Sequence, residues 1–201
     1  MQGNEFDTVC EGLLLKIFQQ PAQPRHKGMV VAFTSPHPGA GVSQITRALA
    51  AKLLDSGDPL SIALDCRDLN QHAFSSDHKT ESTGYNHSSA LWSFEGDSAK
   101  QENWQSSQKE LADTLELLRS RYRFVLLDCP SLKEAVSAVR LAPLVDGVVL
   151  VIEANRTQKQ QLLHAERTIE NAKGKILGHV LNKRDYVVPN WFYRKMEAAG
   201  V

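Results

Sequence analysis

The chain has 201 residues, 42% of them hydrophobic and 23% charged, which is ordinary for one globular domain with a sizeable core. Its 23 basic and 23 acidic residues give a formal net charge of zero, so no strong field favours nucleic acid or an anionic membrane, and we expect no nucleic-acid partner. The longest apolar run is too short to span a bilayer, the N-terminus is not a secretory signal, and three widely spaced cysteines indicate a reducing compartment, so a cytoplasmic protein is expected.

Residues 1–27 are predicted to form an N-terminal helix and a linker. Apolar residues recur at helical spacing over 5–19, and two prolines and a short basic run lead into the first strand. Two interpretations stay open for this helix: it packs on its own domain, or it binds a partner.

The stretch from 29 to 49, MVVAFTSPHPGAGVSQITRAL, predicts a strand, a glycine-rich loop and a helix that starts at Val42. Such a loop offers backbone N–H groups and the positive end of the helix dipole to a phosphate. The P-loop pattern G-x-x-x-x-G-K-[ST] is met at Gly41 and Ser43, but Val42 holds the lysine position and Pro36 the first glycine position. Because that lysine reaches the β- and γ-phosphates, nucleotide binding tolerates its loss better than catalysis does.

Strands and helices alternate along the rest of the chain. Strands are predicted at Met29–Thr34, Ser61–Asp65, Phe124–Asp128, Gly147–Glu153 and Ile176–Asn182. Helices are predicted at 107–121, 133–141, 157–172 (capped at Asn155 or Thr157) and 190–199. Residues 69–107 read as a polar, partly disordered insertion, with one short ordered piece at 90–94.

This alternation predicts βαβ units, and hence a mainly parallel sheet with helices on both faces. Right-handed crossovers place the carboxyl ends of the strands at one edge, where such sheets bind ligands. The glycine loop, Asp65, Asp128 and Asn182 all follow strands, so we expect them to meet there. The pattern therefore predicts a nucleotide-type site.

Five pieces in order, TSPHPGAGVS, SIALDCRDL, RYRFVLLDCPSL, DGVVLVIEANRTQKQQ and ILGHVLNKRDY, carry a family resemblance. Together they resemble the cytoplasmic domain of the bacterial tyrosine kinases that accompany capsule and exopolysaccharide export, in the Min/Par-like branch of P-loop proteins. The resemblance implies one three-layer P-loop NTPase-like domain over 1–201, with the strand at 124–128 between those at 61–65 and 29–34.

The same resemblance implies a site for ATP and Mg²⁺. The phosphates would be held by Gly39, Ala40, Gly41, Val42, Ser43 and Gln44, the base by Asn182 and Arg184, and Mg²⁺ by Ser43, Asp65 and Asp128, with Asp65 also the catalytic residue. The implied partner is a membrane polysaccharide co-polymerase or another export-complex protein, which would bring this cytoplasmic chain to the inner face of the membrane.

Several family features are replaced in this sequence. Besides Val42, Arg67 stands at the second aspartate of D-x-D and His37 at the signature lysine. The ring-assembly motif E-x-x-R-x-x-R keeps Glu5 but has Thr8 and Glu11 for its arginines, and only Tyr186 and Tyr193 stand where the kinases have a tyrosine-rich tail. The departures favour a degenerate relative with a regulatory or scaffolding role in exopolysaccharide biosynthesis and export, and with weak or absent nucleotide turnover.

Two other functions stay open. An active tyrosine kinase or ATPase would need a substitute cation, for which His37, Arg47 and Arg67 are candidates. A GTPase is suggested by the run Asn182-Lys183-Arg184-Asp185, which fits the guanine-reading pattern N-K-x-D, although Asp128 does not begin the D-x-x-G that GTPases have.

Cys66 and Cys129 each follow a strand-end carboxylate and are expected to lie close to each other. A redox or metal role is one interpretation of this pair. The other is that they are small apolar residues packed beneath the loops.

Overall fold

The computed structural model of the chain describes residues 11–13, 27–56, 61–69 and 108–183. Several predictions lie outside these residues: the rest of the N-terminal helix, the insertion beyond residue 69 with its short ordered piece, Arg184 with Asp185, and the last helix at 190–199.

The described residues form a five-stranded parallel sheet. Its strands are β1 (Met29–Thr34), β2 (Ser61–Asp65), β3 (Phe124–Asp128), β4 (Gly147–Glu153) and β5 (Ile176–Asn182). Their order is β2-β3-β1-β4-β5, and every neighbouring pair runs parallel. The predicted sheet is confirmed, including the position of β3 between β2 and β1.

Helices cover both faces of the sheet. They are α1 (Val42–Asp55), α2 (Gln108–Arg121), α3 (Ser137–Leu141) and α4 (Lys159–Asn171), and a 3₁₀ turn at Cys66–Asp68 follows β2. Alternate residues of the strands enter two hydrophobic clusters, one with α1 and one with α2, α3 and α4. This is the predicted three-layer arrangement, and each large apolar side chain buried in it contributes about 1.5–3 kcal/mol.

Two predicted helix starts are wrong. The helix expected at 133–141 begins at Ser137, because the amides of residues 134 and 135 both donate to the carbonyl of Ser131 and form a turn. The helix expected at 157–172 begins at Lys159. Thr157 does not cap it, since its hydroxyl accepts the Glu153 N–H at 2.9 Å. The cap is Gln158, whose N–H donates to Gln161 Oε1 at 3.0 Å.

Residues 11–13 are helical and pack on the domain. Leu13 joins the cluster on the α1 side, and Glu11 pairs with Lys52 of α1 at 3.2 Å. Among the described helices, none combines the length and apolar character needed to cross a membrane.

Candidate functional site

The loop between β1 and α1 has the shape of an anion cradle. Gly39 and Gly41 have φ angles of 84° and 90°, which side-chain-bearing residues rarely adopt. A Cβ at Gly41 would also lie 2.3 Å from Asn182 Nδ2, so glycine is required there for two reasons. The first helical bond joins the Ile45 N–H to the Gly41 carbonyl at 3.1 Å, which leaves the amides at the start of α1 without partners inside the helix.

Side chains at the end of β5 hold this loop in place. The Asn182 amide donates to the Ala40 carbonyl at 2.9 Å, and Lys183 Nζ donates to the Gly39 carbonyl at 2.6 Å. From the other end of the loop, the Ser35 hydroxyl donates to the His37 carbonyl at 2.8 Å. The backbone shape is therefore fixed without any bound anion.

A cleft of about 710 Å³ opens beside the loop, within the usual size range of small-molecule sites. Its lining includes most of the residues that the sequence predicted: Gly39, Ala40, Gly41, Val42, Ser43, Gln44, Arg47, Asp65, Arg67 and Asp128. Ser131, Glu134 and Lys183 also line it.

The two strand-end carboxylates lie side by side, as the order of the strands requires. Asp65 of β2 is in register with Asp128 of β3. Burial raises the pKa of Asp128, while a hydrogen bond with Ser43 and the positive charges of Arg47 and Arg67 act in the opposite direction. The structure thus brings together the three residues that the resemblance implies for Mg²⁺.

The carboxylate of Asp65, however, already forms an ion pair with Arg67. Its Nε lies 2.9 Å from Asp65 Oδ1 and 3.0 Å from Oδ2, its Nη2 also donates to Oδ2, and its backbone N–H donates to Oδ1 at 2.9 Å. The hydrogen bonds that the Arg67 side chain donates to Asp65 raise the pKa of Arg67, which keeps the guanidinium charged. Because both oxygens of Asp65 are engaged, this geometry does not fit Mg²⁺ ligation by that residue.

The described residues offer no other obvious metal site. They contain no group of three or more His, Cys, Asp or Glu side chains placed to hold a metal ion.

The candidate substitute cations differ in position. Arg47 and Arg67 line the cleft. His37 does not: its Nδ1 lies 3.0 Å from the Pro38 carbonyl oxygen and its Nε2 2.8 Å from Thr157 Oγ1. Both ring nitrogens of His37 are therefore engaged within the protein.

Lys183 is a further cation at the site that sequence reasoning named only within the N-K-x-D pattern. Its side chain is 45% exposed and pairs with Glu153 at 3.3 Å. It directly follows β5, as Asp65 and Asp128 end β2 and β3, so the same strand-end argument identifies it.

Val42, at the lysine position, is 9% exposed and belongs to the cluster beneath α1. Its side chain contributes to the core, and the residue also lines the cleft.

Cys66 and Cys129 are 1% and 2% exposed and lie in the same hydrophobic cluster. A hydrogen bond with Cys66 and burial raise the pKa of Cys129 well above its ordinary value, so this thiol stays protonated. Thiolate is the reactive form, and the geometry therefore favours the packing interpretation.

Comparison with solved structures identifies the class of fold. The chimerical protein CapA2B2 superposes with a TM-score of 0.62 at 21% identity, over 88% of this chain and 91% of that one. MinD of Aquifex aeolicus superposes with a TM-score of 0.56 at 14% identity, over 85% of this chain and 74% of that one. The chain has the MinD/ParA-like P-loop NTPase fold.

Sequence comparison then gives the relatives. The succinoglycan biosynthesis transport protein ExoP of Rhizobium meliloti (strain 1021) is 37% identical over 78 residues, 37% of this chain and 10% of ExoP. The tyrosine-protein kinase YwqD of Bacillus subtilis (strain 168) is 34% identical over 61 residues, 30% of this chain and 26% of YwqD. The aligned regions thus span about a quarter or less of these relatives, and no protein-family model matches the chain. The predicted resemblance to bacterial tyrosine kinases is confirmed.

Proposed function

We propose that this chain is a nucleotide-binding, tyrosine-kinase-like domain with a regulatory or scaffolding role in exopolysaccharide or capsule biosynthesis and export, and with weak or absent turnover. One observation carries the proposal. The phosphate cradle keeps its backbone shape, with Gly39 and Gly41 at positive φ, while the position of its catalytic cation holds the buried Val42.

Binding and catalysis depend on different parts of this loop. An anion docks on backbone amides and on the helix dipole, which the loop and α1 supply. Phosphoryl transfer also needs positive charge where the γ-phosphate develops charge, and an aliphatic side chain supplies none. The pairing of Asp65 with Arg67 further removes a free carboxylate from the reacting centre. Nucleotide occupancy, rather than turnover, is then the signal that the domain reports.

The test compares Val42→Lys with Val42→Met, which has a side chain of similar length without the charge. Calorimetric titration with ATP should show tighter binding to the lysine variant by about 1.5–3 kcal/mol, and little change for methionine. Phosphate release should stay at background for the wild type. Thermal unfolding of each variant checks that the buried position tolerates the longer side chain.

The active-enzyme alternative is supported by one specific observation, the two arginines in the cleft. Arg67 and Arg47 both line it, so either side chain could supply the missing charge. Robust hydrolysis by the wild type, abolished by Arg67→Asp, would replace the proposal with an ATPase or kinase that uses Arg67. His37 is a poorer candidate, because its ring is bonded to Pro38 and Thr157.

The guanine-reading alternative is supported by the contacts of Asn182 and Lys183 with the phosphate loop. Titration with GTP beside ATP separates the two nucleotides. Tighter binding of GTP by about tenfold, which is 1.4 kcal/mol, would favour the GTPase alternative.

The proposed partner is a membrane polysaccharide co-polymerase or another export-complex protein, met at the cytoplasmic face of the membrane. Support comes from the similarity to ExoP of Rhizobium meliloti, a succinoglycan biosynthesis transport protein. Co-purification with the products of neighbouring polysaccharide-export genes, compared with and without nucleotide, tests this part of the proposal.

A further inference from the structure

The ion pair of Arg67 and Asp65 is built into the local backbone. Asp65 ends β2, and its side chain caps the 3₁₀ turn Cys66–Asp68 by accepting the Arg67 N–H. The guanidinium then closes on the same carboxylate two residues away. Because so short a loop joins the partners, little chain entropy opposes the pair.

This ion pair reduces the net negative charge of the cleft lining around Asp65 and Asp128. Arg67 neutralises Asp65, and Arg47 acts electrostatically on Asp128, so two guanidinium groups balance two carboxylates. A divalent cation at this point would have to displace a bidentate guanidinium from Asp65. Such charge-assisted, two-point hydrogen bonds are among the stronger ones in proteins.

Arg67 also keeps donors for a ligand. Its side chain is 36% exposed and lines the cleft. Its Nε and Nη2 bind Asp65, whereas Nη1 has no hydrogen-bond partner among the described residues. A guanidinium has five N–H donors in a planar fork, a geometry suited to phosphate oxygens. Arg47 and Lys183 are on the same lining, so three cations lie there beside the carboxylates of Asp65, Asp128 and Glu134.

We propose that the cleft binds the phosphate chain of a nucleoside di- or triphosphate without a divalent metal, with Arg67 as a fixed internal cation in the metal's place. The inference rests on the proposed nucleotide binding. It adds that the ligand is the free nucleotide and not its Mg²⁺ complex. It also gives Arg67 a role: it is a ligand-binding residue that pairs with the carboxylate implied by the family resemblance for Mg²⁺.

The experiment measures the affinity for ADP and ATP by calorimetry, in excess EDTA and in excess Mg²⁺. For the wild type the two dissociation constants should differ by less than about tenfold. In Arg67→Ala, binding in EDTA should weaken by about tenfold or more, and Mg²⁺ should restore it because Asp65 is freed. Arg121→Ala, which removes an exposed arginine at the end of α2, is the matched control and should behave as wild type.

A second readout does not depend on nucleotide. Mn²⁺ also prefers oxygen ligands, and electron paramagnetic resonance measures how many Mn²⁺ ions bind per chain. We expect no specific Mn²⁺ site in the wild type and one site in Arg67→Ala.

Two results overturn the inference. The first is wild-type nucleotide binding at least about tenfold tighter with Mg²⁺ than with EDTA; in that case the proposed function survives and only the metal-free mode fails. The second is a Mn²⁺ site in the wild type. If the wild type binds no nucleotide in either condition, the proposed function itself fails, and the inference fails with it.

Discussion

At the scale of single residues, Gly41 is the residue of the loop with the least freedom to change. Alanine there would hold a φ of 90° and place its Cβ 2.3 Å from Asn182 Nδ2. We expect Gly41→Ala to lower the free energy of unfolding by about 1–3 kcal/mol and to weaken nucleotide binding, because the amide that holds Ala40 must move.

Gly178→Ala is the matched control, since a Cβ at Gly178 meets nothing within 4 Å. It should be neutral or slightly stabilising. Urea unfolding and nucleotide titration measure the two effects. If the two variants had the same free energy of unfolding and the same nucleotide affinity, the backbone at Gly41 would not require glycine.

Asp128 is a second residue whose contribution to the free energy of unfolding can be tested. Burial raises its pKa, so between the unfolded-state and folded-state values the folded protein binds more protons, and its stability falls as pH rises through that interval. At neutral pH the ionised carboxylate is therefore destabilising. Asp128→Asn should raise the free energy of unfolding at about pH 7 by roughly 0.5–2 kcal/mol, the range that single stabilising substitutions commonly give.

The gain should shrink as pH falls towards the unfolded-state pKa of about 3.9, because the wild-type carboxyl then becomes neutral too. Chemical denaturation across this range checks it. Asp113→Asn, on the exposed side of α2, provides the control for loss of one carboxylate. A lower stability of Asp128→Asn at neutral pH would contradict the assignment of burial as the main effect.

At the scale of elements, the strands and the start of α1 could be predicted from the sequence, and the starts of α3 and α4 could not. Each strand is a short apolar run closed by a polar residue, and all five have the predicted bounds. The starts of α3 and α4 depend on turns closed by the Ser131 carbonyl and the Thr157 hydroxyl. Such bonds follow from the three-dimensional path of the loops, which periodicity does not encode.

The candidate site also has features that the sequence predicted and features that it did not. The meeting of Asp65, Asp128 and the glycine loop follows from parallel strands alone, and the register confirms it. The pairing of Arg67 with Asp65 depends on a 3₁₀ turn of three residues that no sequence pattern indicated. The contact of His37 with Thr157 joins residues 120 positions apart, and only the packed fold brings them together.

At the scale of the whole molecule, the two ends of the parallel strands differ in what they contribute: the carboxyl ends form the cleft, and the amino ends carry a stabilising polar network. The carboxyl edge holds the cleft and its charges. At the opposite edge, Arg119 of α2 donates to the carbonyls of Gly28 and Leu144, each at 3.1 Å, and pairs with Asp146. Asp146 in turn accepts the Val30 N–H at 2.7 Å. This network ties α2 to the start of β1 and to the segment before β4, at the opposite end of the strands from the cleft.

This division predicts that stability and nucleotide binding can be separated. Arg119→Met keeps the aliphatic bulk but removes the donors, and it should lower the free energy of unfolding by about 1–3 kcal/mol; solvent at the partly exposed Asp146 limits the loss. Lys27→Ala, which breaks an exposed pair with Glu116, should leave stability unchanged within error. Urea unfolding and calorimetric titration of both variants test the separation. Nucleotide affinity should equal that of the wild type in each, since neither residue lines the cleft; a weaker affinity in Arg119→Met would mean that the two edges of the sheet are coupled.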